Sequence, residues 1–198
     1  IHPLVPRQGS VGAAGDLAPL AHIARVAFRL GGQAECSGQI LQADQAMADM
    51  PAFTPTPKEA LSFINGATLS VALAAIAVVR AEKLLSSSEA VLAMTMEAVL
   101  AQKSCIDVKA LKARGQIGGV QVAETLSAAL SDSVLCNNER RPDAFSIRCA
   151  PSVLGAGRDT LVHVSEIVHR ELNGACDNPL LLDGKLIEAG NFHGAPIG

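Results

Sequence analysis

The chain has 198 residues, a length typical of one domain with a sizeable core. Its net charge of −3 and its aromatic content of 3% provide no basic stripe and few stacking side chains, so we exclude nucleic acid as a partner. Hydrophobic residues make up 49% of the chain, but we find no continuous apolar run of the roughly 18 residues that a membrane span needs, so we expect no membrane segment.

The N-terminal part predicts a loop, a helix and a short β excursion. Residues 1–15 are rich in Pro and Gly, and Asp16 can cap a helix that runs to Leu30 and ends at Gly31-Gly32. Residues 34–41 contain a Ser-Gly turn and predict a small hairpin. The three prolines within residues 49–57 indicate a linker.

The middle of the chain predicts long apolar helices. Thr56-Pro-Lys-Glu59 is a capping box with proline at the first helical position, so we expect one helix from there to Leu85. Ser86-Ser-Ser-Glu89 offers a second capping box, which predicts a break before a helix that ends near Lys103. Because the first of these helices carries almost no charge before Arg80, most of its circumference must be buried.

The C-terminal part predicts two further helices and a hairpin. We expect helices over residues 120–135 and 158–172, with a structured loop over residues 136–151 between them. Asp183-Gly184 lies between two apolar triplets of residues 180–187 and is typical of a two-residue hairpin turn. The predicted fold class is therefore all-α, with long antiparallel helices in a bundle and small β-hairpins, forming a single core segment over residues 1–198.

Cysteines and chain ends add two expectations. The five cysteines are far apart and show no metal-ligand spacing, so we expect reduced thiols in a cytoplasmic protein without a metal site. The chain starts without methionine and stops within a loop-like Gly194-Ala-Pro-Ile-Gly198. We therefore expect a segment of a longer subunit.

Five motifs, in order along the whole chain, resemble the histidine and phenylalanine ammonia-lyase family. The first is Gly9-Ser-Val-Gly-Ala-Ala-Gly-Asp16, which continues as Leu-Ala-Pro-Leu-Ala21. The others are Phe63-Ile-Asn-Gly66, Asp143-Ala-Phe-Ser-Ile-Arg-Cys149, Asp177-Asn-Pro-Leu180 and Gly190-Asn-Phe-His193. The resemblance implies a fumarase/aspartase-like helical core, a homotetramer, and the elimination of ammonia from a small aromatic L-amino acid to give an α,β-unsaturated acid.

The resemblance also implies a prosthetic group that this sequence cannot complete. In the family an Ala-Ser-Gly triplet cyclises into methylidene-imidazolone, the electrophile of the reaction, and the matching positions here are Ala13, Ala14 and Gly15. Small residues let a backbone nitrogen reach the carbonyl two residues back. The middle residue must then lose a β-hydroxyl as water. Ala14 has no hydroxyl, so we expect no such cofactor and no elimination.

Two polar residues in apolar surroundings are candidates for substrate binding. An unpaired amide at Asn65 would cost on the order of 1–3 kcal/mol, so Asn65 must have a partner. The resemblance assigns it contacts with substrate and prosthetic ring, and a bond to a neighbouring helix is the alternative. Arg148 is implied to bind the substrate carboxylate, for which its rigid fork is suited. Its alternative is an ion pair with Glu171 or Asp177.

The remaining candidates lie in the later motifs. Phe145 stands where the family pattern supplies a tyrosine implicated in proton transfer, and phenylalanine cannot move a proton. Pro142 likewise stands where the family pattern has a polar glutamine, two residues before Ala144. Four loop residues complete the predicted substrate site: Asn178, Asn191, Phe192 and His193. For His193, a purely structural role is equally open.

Two functional hypotheses follow. The first is a core segment of a histidine ammonia-lyase-like subunit that lacks the chemistry. The second is a catalytically silent relative that binds an aromatic amino acid or assembles with an active paralogue. His193 favours histidine as the ligand, whereas the closing Gly194-Ala-Pro-Ile-Gly198 favours phenylalanine, so histidine leads only slightly.

Overall fold

A computed structural model describes residues 1–12, 15–136 and 142–197 as a mainly helical protein with two small antiparallel sheets. The predicted all-α class with small β elements is confirmed. The chain forms two compact units, of which the first contains Ile1–Ala75 and Ile167–Gly198 and the second contains Ile76–Glu166.

The first unit combines short helices with both sheets. Strands β1, β2 and β3 form one antiparallel sheet, and β4 and β5 form the predicted hairpin, with both turn residues at positive φ. β1 was not predicted, because two residues are too few to show an alternating pattern. The elements are β1 His2–Pro3, α1 Leu17–Ala27, β2 Gln33–Cys36, β3 Gln39–Gln42, α2 Ala43–Ala46, α3 Pro57–Ile64, β4 Leu180–Leu182 and β5 Lys185–Ile187.

The helix predicted from the Thr56 capping box is divided in two. The capping box is present, but α3 ends at Ile64 and α4 runs over Thr68–Ala98. Gly66 adopts φ +124, and a Cβ there would lie 2.4 Å from Cys176 Sγ. Since only glycine fits this left-handed position, the helix stops before it. The prediction of one continuous helix was wrong because the cause of the break lies more than a hundred residues away in sequence.

The predicted break at Ser86 is absent, and α4 continues through it. The hydroxyls of Ser86, Ser87 and Ser88 donate to carbonyls four residues earlier, at 3.1, 2.9 and 2.8 Å. Serines that bond to the preceding turn remain compatible with a helix. Glu89, which the sequence suggested as part of a cap, is buried and pairs with Arg158.

The second unit packs the later part of α4 with three further helices. These are α5 Val108–Arg114, α6 Ile117–Ala129 and α7 Phe145–Asn173, preceded by a 3₁₀ turn at Lys103–Ile106. The loop predicted up to Pro151 was partly wrong, because α7 already begins at Phe145. The Pro151 ring is fully buried, and that burial offsets the hydrogen bond that a proline removes from a helix interior.

The stretch Pro57–Ala98 is apolar and long enough, by length and composition, to cross a membrane. The sequence predicted no such segment. The stretch is divided at residues 65–67, and the amides of Leu69 and Ser70 just after the division donate to the buried Asp16 carboxylate. Only 22% of its most apolar window is buried within the described part of the chain.

Two helices of the second unit cross with their backbones in contact. A Cβ on Gly155 of α7 would lie 2.2 Å from the Gly119 nitrogen of α6, and a Cβ on Gly118 would lie 2.2 Å from the Gly155 carbonyl oxygen. The amide of Gly118 donates to the Asp159 carboxylate at 2.8 Å. The crossing therefore depends on the missing side chains of these glycines.

We expect Gly155→Ala to destabilise the protein by about 2–4 kcal/mol, because its methyl group would meet backbone atoms that cannot rotate away. The measurement is the free energy of unfolding in denaturant. Gly157→Ala is the matched control on the same helix, since a Cβ there meets nothing within 4 Å. It should be neutral or stabilising by up to about 1 kcal/mol. Equal effects of the two changes would contradict the tight crossing.

Candidate ligand site at the glycine-rich turn

The turn of the first motif is closed by one serine. The Ser10 hydroxyl accepts from the Gly12 amide at 3.1 Å and donates to the Asp16 carboxylate. Gly12 and Gly15 both have φ +66, a left-handed conformation that favours glycine. Ala13 and Ala14, the predicted cyclisation positions, lie outside the described residues.

Asp16 is buried and holds the turn against the start of α4. It occupies the N-cap position of α1, as predicted, but its side chain makes no bond to that helix. Instead its Oδ2 accepts from the amides of Leu69 and Ser70, at 2.8 and 3.1 Å, and its own amide donates to the Gly66 carbonyl at 2.7 Å. Asp16 therefore caps a helix other than its own.

The start of α4 needs this external cap. Ala67 occupies the N-cap position, since its carbonyl accepts the first helical bond from Val71 at 3.0 Å. Alanine has no side-chain acceptor for the free amides of the first turn. The Asp16 carboxylate supplies the acceptor, and its charge is favourable at a helix N-terminus.

Asn65, at the C-cap of α3, lies directly against the turn. A methyl group at Gly15 would lie 3.2 Å from Asn65 Oδ1. The other end of the amide, Nδ2, donates to the Asn178 carbonyl at 3.2 Å and to Asp177 Oδ1 at 3.4 Å. The predicted residues Gly15, Asn65 and Asn178 are thus brought together.

Asp177 is the centre of the polar cluster behind Asn65. Its carboxylate accepts from Lys58, from the Ser62 hydroxyl, and from the Asn178 amide at 2.7 Å. Burial raises the pKa of the Asp177 carboxyl, but donation from Lys58, Ser62, Asn178 and Asn65 outweighs it and brings that pKa below its ordinary value. The cluster therefore contains a carboxylate that stays charged.

The other predicted loop residues of the first unit make local contacts. The Asn178 side chain accepts from the Ala189 amide at 2.7 Å, and Asn191 donates to the Ala175 carbonyl at 3.4 Å. His193 Nδ1 accepts from the Ala195 amide at 3.0 Å, while Phe192 is half-buried. These bonds fix the shape of the loop that carries all three motif residues Asn191, Phe192 and His193.

Phe145 and Arg148 belong to the second unit, in the first turns of α7. The Phe145 ring is 73% exposed, and the Arg148 guanidinium lies 5.9 Å from its centroid. Arg148 Nε donates to the Asp143 carbonyl at 3.0 Å. The Asp143 carboxylate accepts from the Cys105 thiol at 3.1 Å. Burial, followed by this carboxylate, raises the pKa of Cys105 to about 12, so that thiol is not a nucleophile.

The sequence missed the residues that support the site. The sequence indicated Lys58 only as part of a capping box, and Asp177 only as a motif residue and an alternative ion-pair partner of Arg148. The structure pairs Asp177 with Lys58 instead. The spacing of Lys58 and Ser62, four residues apart, places both on one helix face and was the available signal. All five cysteines are free thiols. Within the described ranges, no group of three or more His, Cys, Asp or Glu side chains could hold a metal.

Comparison with known proteins finds close similarity over the whole chain. The model of the aromatic amino acid lyase family matches residues 1–198. A histidine ammonia-lyase from Geobacillus kaustophilus is 44% identical over 203 residues, covering 100% of this chain and 40% of that protein. The chain therefore spans about 40% of the length of the curated relatives that it matches.

Solved structures show the same fold. The crystal structure of histidine ammonia-lyase from Trypanosoma cruzi matches with a TM-score of 0.85 at 36% identity, covering 98% of this chain and 37% of that one. Tyrosine aminomutase from Streptomyces globisporus matches with a TM-score of 0.88 at 31% identity, covering 100% of this chain and 42% of that one.

We expect Asp16→Ala to lower the free energy of unfolding by about 2–4 kcal/mol, because it leaves two helix amides and the Ser10 hydroxyl without their acceptor. Denaturant titration measures this loss. Asp107→Ala is the control, since Asp107 caps only its own exposed helix, accepting from Lys109 at 2.7 Å. We expect a loss of about 1 kcal/mol there. A loss for Asp16→Ala no larger than the control would refute the proposed importance of the external cap.

The lowered pKa of Asp177 predicts that the stability of the folded protein depends on pH. Because its folded pKa is lowered, its contacts stabilise the protein above the unfolded pKa of about 3.9, and this contribution is lost as the pH falls through the folded pKa. The difference in Tm between the natural chain and Asp177→Asn should therefore be largest near neutral pH, and it should disappear as the pH falls into the acid range. Asp183→Asn, in the exposed hairpin turn, controls for the loss of one carboxylate. A gap that stays constant down to pH 3 would disprove this assignment.

Proposed function

Because the chain belongs to the aromatic amino acid lyase family, we propose that it is the core segment of an ammonia-lyase-type subunit that binds a small amino acid but cannot eliminate ammonia. The observation that supports binding is the Asn65 carboxamide held against Gly15 by the cluster around Asp177. A polar group fixed at a glycine-rich turn is preorganised for a ligand.

The residues present do not fit the methylidene-imidazolone group that the family resemblance implies. Gly12 and Gly15 keep a left-handed backbone on either side of the central residues, as a tight turn requires. The methylidene carbon, however, is formed only when the middle residue loses a β-hydroxyl as water. Ala14 carries no β-oxygen, so the sequence of the turn lacks the atom that the chemistry needs.

A second departure concerns proton transfer. Phe145 replaces the tyrosine of the family pattern, and the chain contains no tyrosine at all. A phenyl ring has no proton to donate or accept at any accessible pH. We therefore propose that this chain lacks both an electrophile and the tyrosine base.

For the ligand we propose histidine. The relatives from Geobacillus kaustophilus and Trypanosoma cruzi are both named histidine ammonia-lyases, at 44% and 36% identity. Asn65 is the residue with the clearest geometry for contacting it. For Arg148 we retain the carboxylate-binding role that the resemblance implies, for which its rigid guanidinium fork is suited.

We propose homotetrameric assembly in the cytoplasm. The second unit contains an apolar groove of about 650 Å³ between α4 and α7, lined by residues such as Leu84, Val91 and Val153 that are at least 60% exposed. Large apolar side chains that stay exposed along two neighbouring helices favour burial against other copies. The free cysteines support a reducing compartment.

The full-length protein provides a direct test. We expect its intact mass to equal that of the plain sequence, with no added ultraviolet chromophore and no ammonia released from histidine. Ala14→Ser should lose two waters and gain the chromophore. Activity should require Phe145→Tyr as well, since a missing general acid or base typically lowers rates by 10²–10⁴-fold.

Two results would contradict the proposal. Loss of water from the natural chain, or ammonia release by it, would show that Ala14 does not prevent the chemistry. Absence of any heat when histidine, phenylalanine or tyrosine is titrated into the folded full-length protein would refute amino-acid binding and leave assembly as its role.

A further inference from the structure

Asp143 comes just before α7, but its carboxylate is bonded to another segment of the second unit. An aspartate next to a helix start commonly accepts from the free amides of that helix's first turn. Asp143 Oδ2 instead accepts from the Gln102 amide at 2.8 Å and from the Cys105 thiol at 3.1 Å. Asp143 therefore ties the chain ahead of α7 to residues 102–105.

The segment that holds Asp143 is fixed in the hydrophobic core of the second unit. Gln102 precedes the 3₁₀ turn Lys103–Ile106, and Cys105 lies within it. Ile106, at the end of this turn, is 3% exposed and belongs to the core cluster. Burial, followed by the Asp143 carboxylate, raises the pKa of Cys105 to about 12. The thiol therefore keeps its proton at neutral pH and remains a donor.

The backbone of Asp143 in turn holds the Arg148 side chain. The Asp143 carbonyl accepts from Arg148 Nε at 3.0 Å. The helical bonds of α7 begin at the next carbonyl, that of Ala144, which accepts from the Arg148 amide at 3.1 Å. The Asp143 carbonyl thus lies outside the hydrogen-bond ladder of α7, and the bonds of the Asp143 side chain are what hold it in place.

Arg148 keeps most of its donors for a ligand. In the described part of the chain the Nε bond is the only hydrogen bond of its guanidinium, which leaves the four N–H groups of the terminal nitrogens. The Phe145 ring lies 5.9 Å away but is largely exposed, so its attraction for the guanidinium is weak and does not fix an orientation. Arg148 and Cys105 also line a cavity of about 240 Å³, which a small anionic group can enter.

We propose that Asp143 is a positioning residue: anchored by the 3₁₀ turn, its carbonyl holds the Arg148 guanidinium in place, which favours ligands that carry a carboxylate. The proposal rests on the carboxylate-binding role proposed above for Arg148. It adds the residues that hold this side chain, Asp143 directly and Cys105 through the Asp143 carboxylate. A guanidinium that is held before binding loses less conformational freedom when a ligand arrives, so the anchor raises the affinity for a carboxylate.

Paired substitutions separate the anchor from the charge of Asp143. Asp143→Ala removes the acceptor and releases the carbonyl. Asp143→Asn removes the charge but keeps an acceptor, and since both donors bond to the same oxygen, one amide oxygen can serve both. Cys105→Ala removes one donor, whereas Cys105→Ser retains it.

The experiment titrates histidine and histamine, the same amine without its carboxylate, into the full-length protein by calorimetry. We expect the natural chain to prefer histidine, Asp143→Ala to lose about tenfold of that preference, and Asp143→Asn to keep most of it. Cys105→Ala should lose a smaller part, and Cys105→Ser should retain it. Asp132→Ala is the control and should change nothing, because Asp132 is exposed and has no hydrogen bond or ion pair among the described residues.

A preference is a ratio of two affinities, and a general loss of stability lowers both affinities alike. A folded Asp143→Ala protein that keeps its preference therefore overturns the proposal. An equal loss in Asp143→Asn overturns it as well, because the effect would then come from charge rather than from the anchor. A natural chain that binds both ligands equally also overturns it, since the held guanidinium would then select nothing.

A different result would contradict the proposed function alone. If the natural chain binds neither ligand, the amino-acid site is wrong, and NMR then decides the anchor through the exchange of the Arg148 Nε proton with water. Loss of the signal in Arg148→Lys assigns it. Exchange that becomes several-fold faster in Asp143→Ala and stays slow in Asp143→Asn supports the proposal. Any other pattern of exchange overturns it.

Discussion

The buried carboxylate of Asp16 is the interaction on which the first unit depends. It accepts from Ser10, and so closes the glycine-rich turn, and it accepts from Leu69 and Ser70, and so starts α4. A buried carboxylate is stable only when its oxygens are satisfied, so the turn and the helix start must be present together. Because α4 starts at residue 68, after the left-handed Gly66, Asn65 lies outside any helix and against Gly15.

In the second unit, too, a carboxylate accepts from the first-turn amide of a helix other than its own. The N-cap of α6 makes no side-chain cap bond, and Asp159 of α7 accepts from the Gly118 amide instead. The acceptor can reach that amide because Gly118 and Gly155 bring the two backbones into contact. In each unit a carboxylate from one helix therefore satisfies the N-terminus of another, so that a hydrogen bond and a specific packing geometry require each other.

Local sequence patterns predicted the elements whose causes are local. The capping box at Thr56 and the Asp183-Gly184 turn are examples, since every atom involved lies within a few residues. The division of the helix at residues 65–67 was missed because Gly66 is constrained by Cys176. The continuity through Ser86 was missed because its hydroxyl bonds back to the preceding turn, and that through Pro151 because burial of its ring outweighs local preference. In the site, motifs indicated Asn65 and Asn178. Nothing local pairs Lys58 with Asp177, which lies 119 residues later.

The interactions that hold the site differ from those that would perform the chemistry. Closure of the turn requires the hydroxyl of Ser10 and the carboxylate of Asp16, whereas the family's electrophile requires a hydroxyl at position 14. The Phe145 ring is largely exposed, so tyrosine and phenylalanine there differ little in what they contribute to packing. The contacts described for the turn, α4 and the Asn65 cluster are made by residues other than those at positions 14 and 145. Selection for stability alone can therefore maintain these contacts even in a chain without that chemistry.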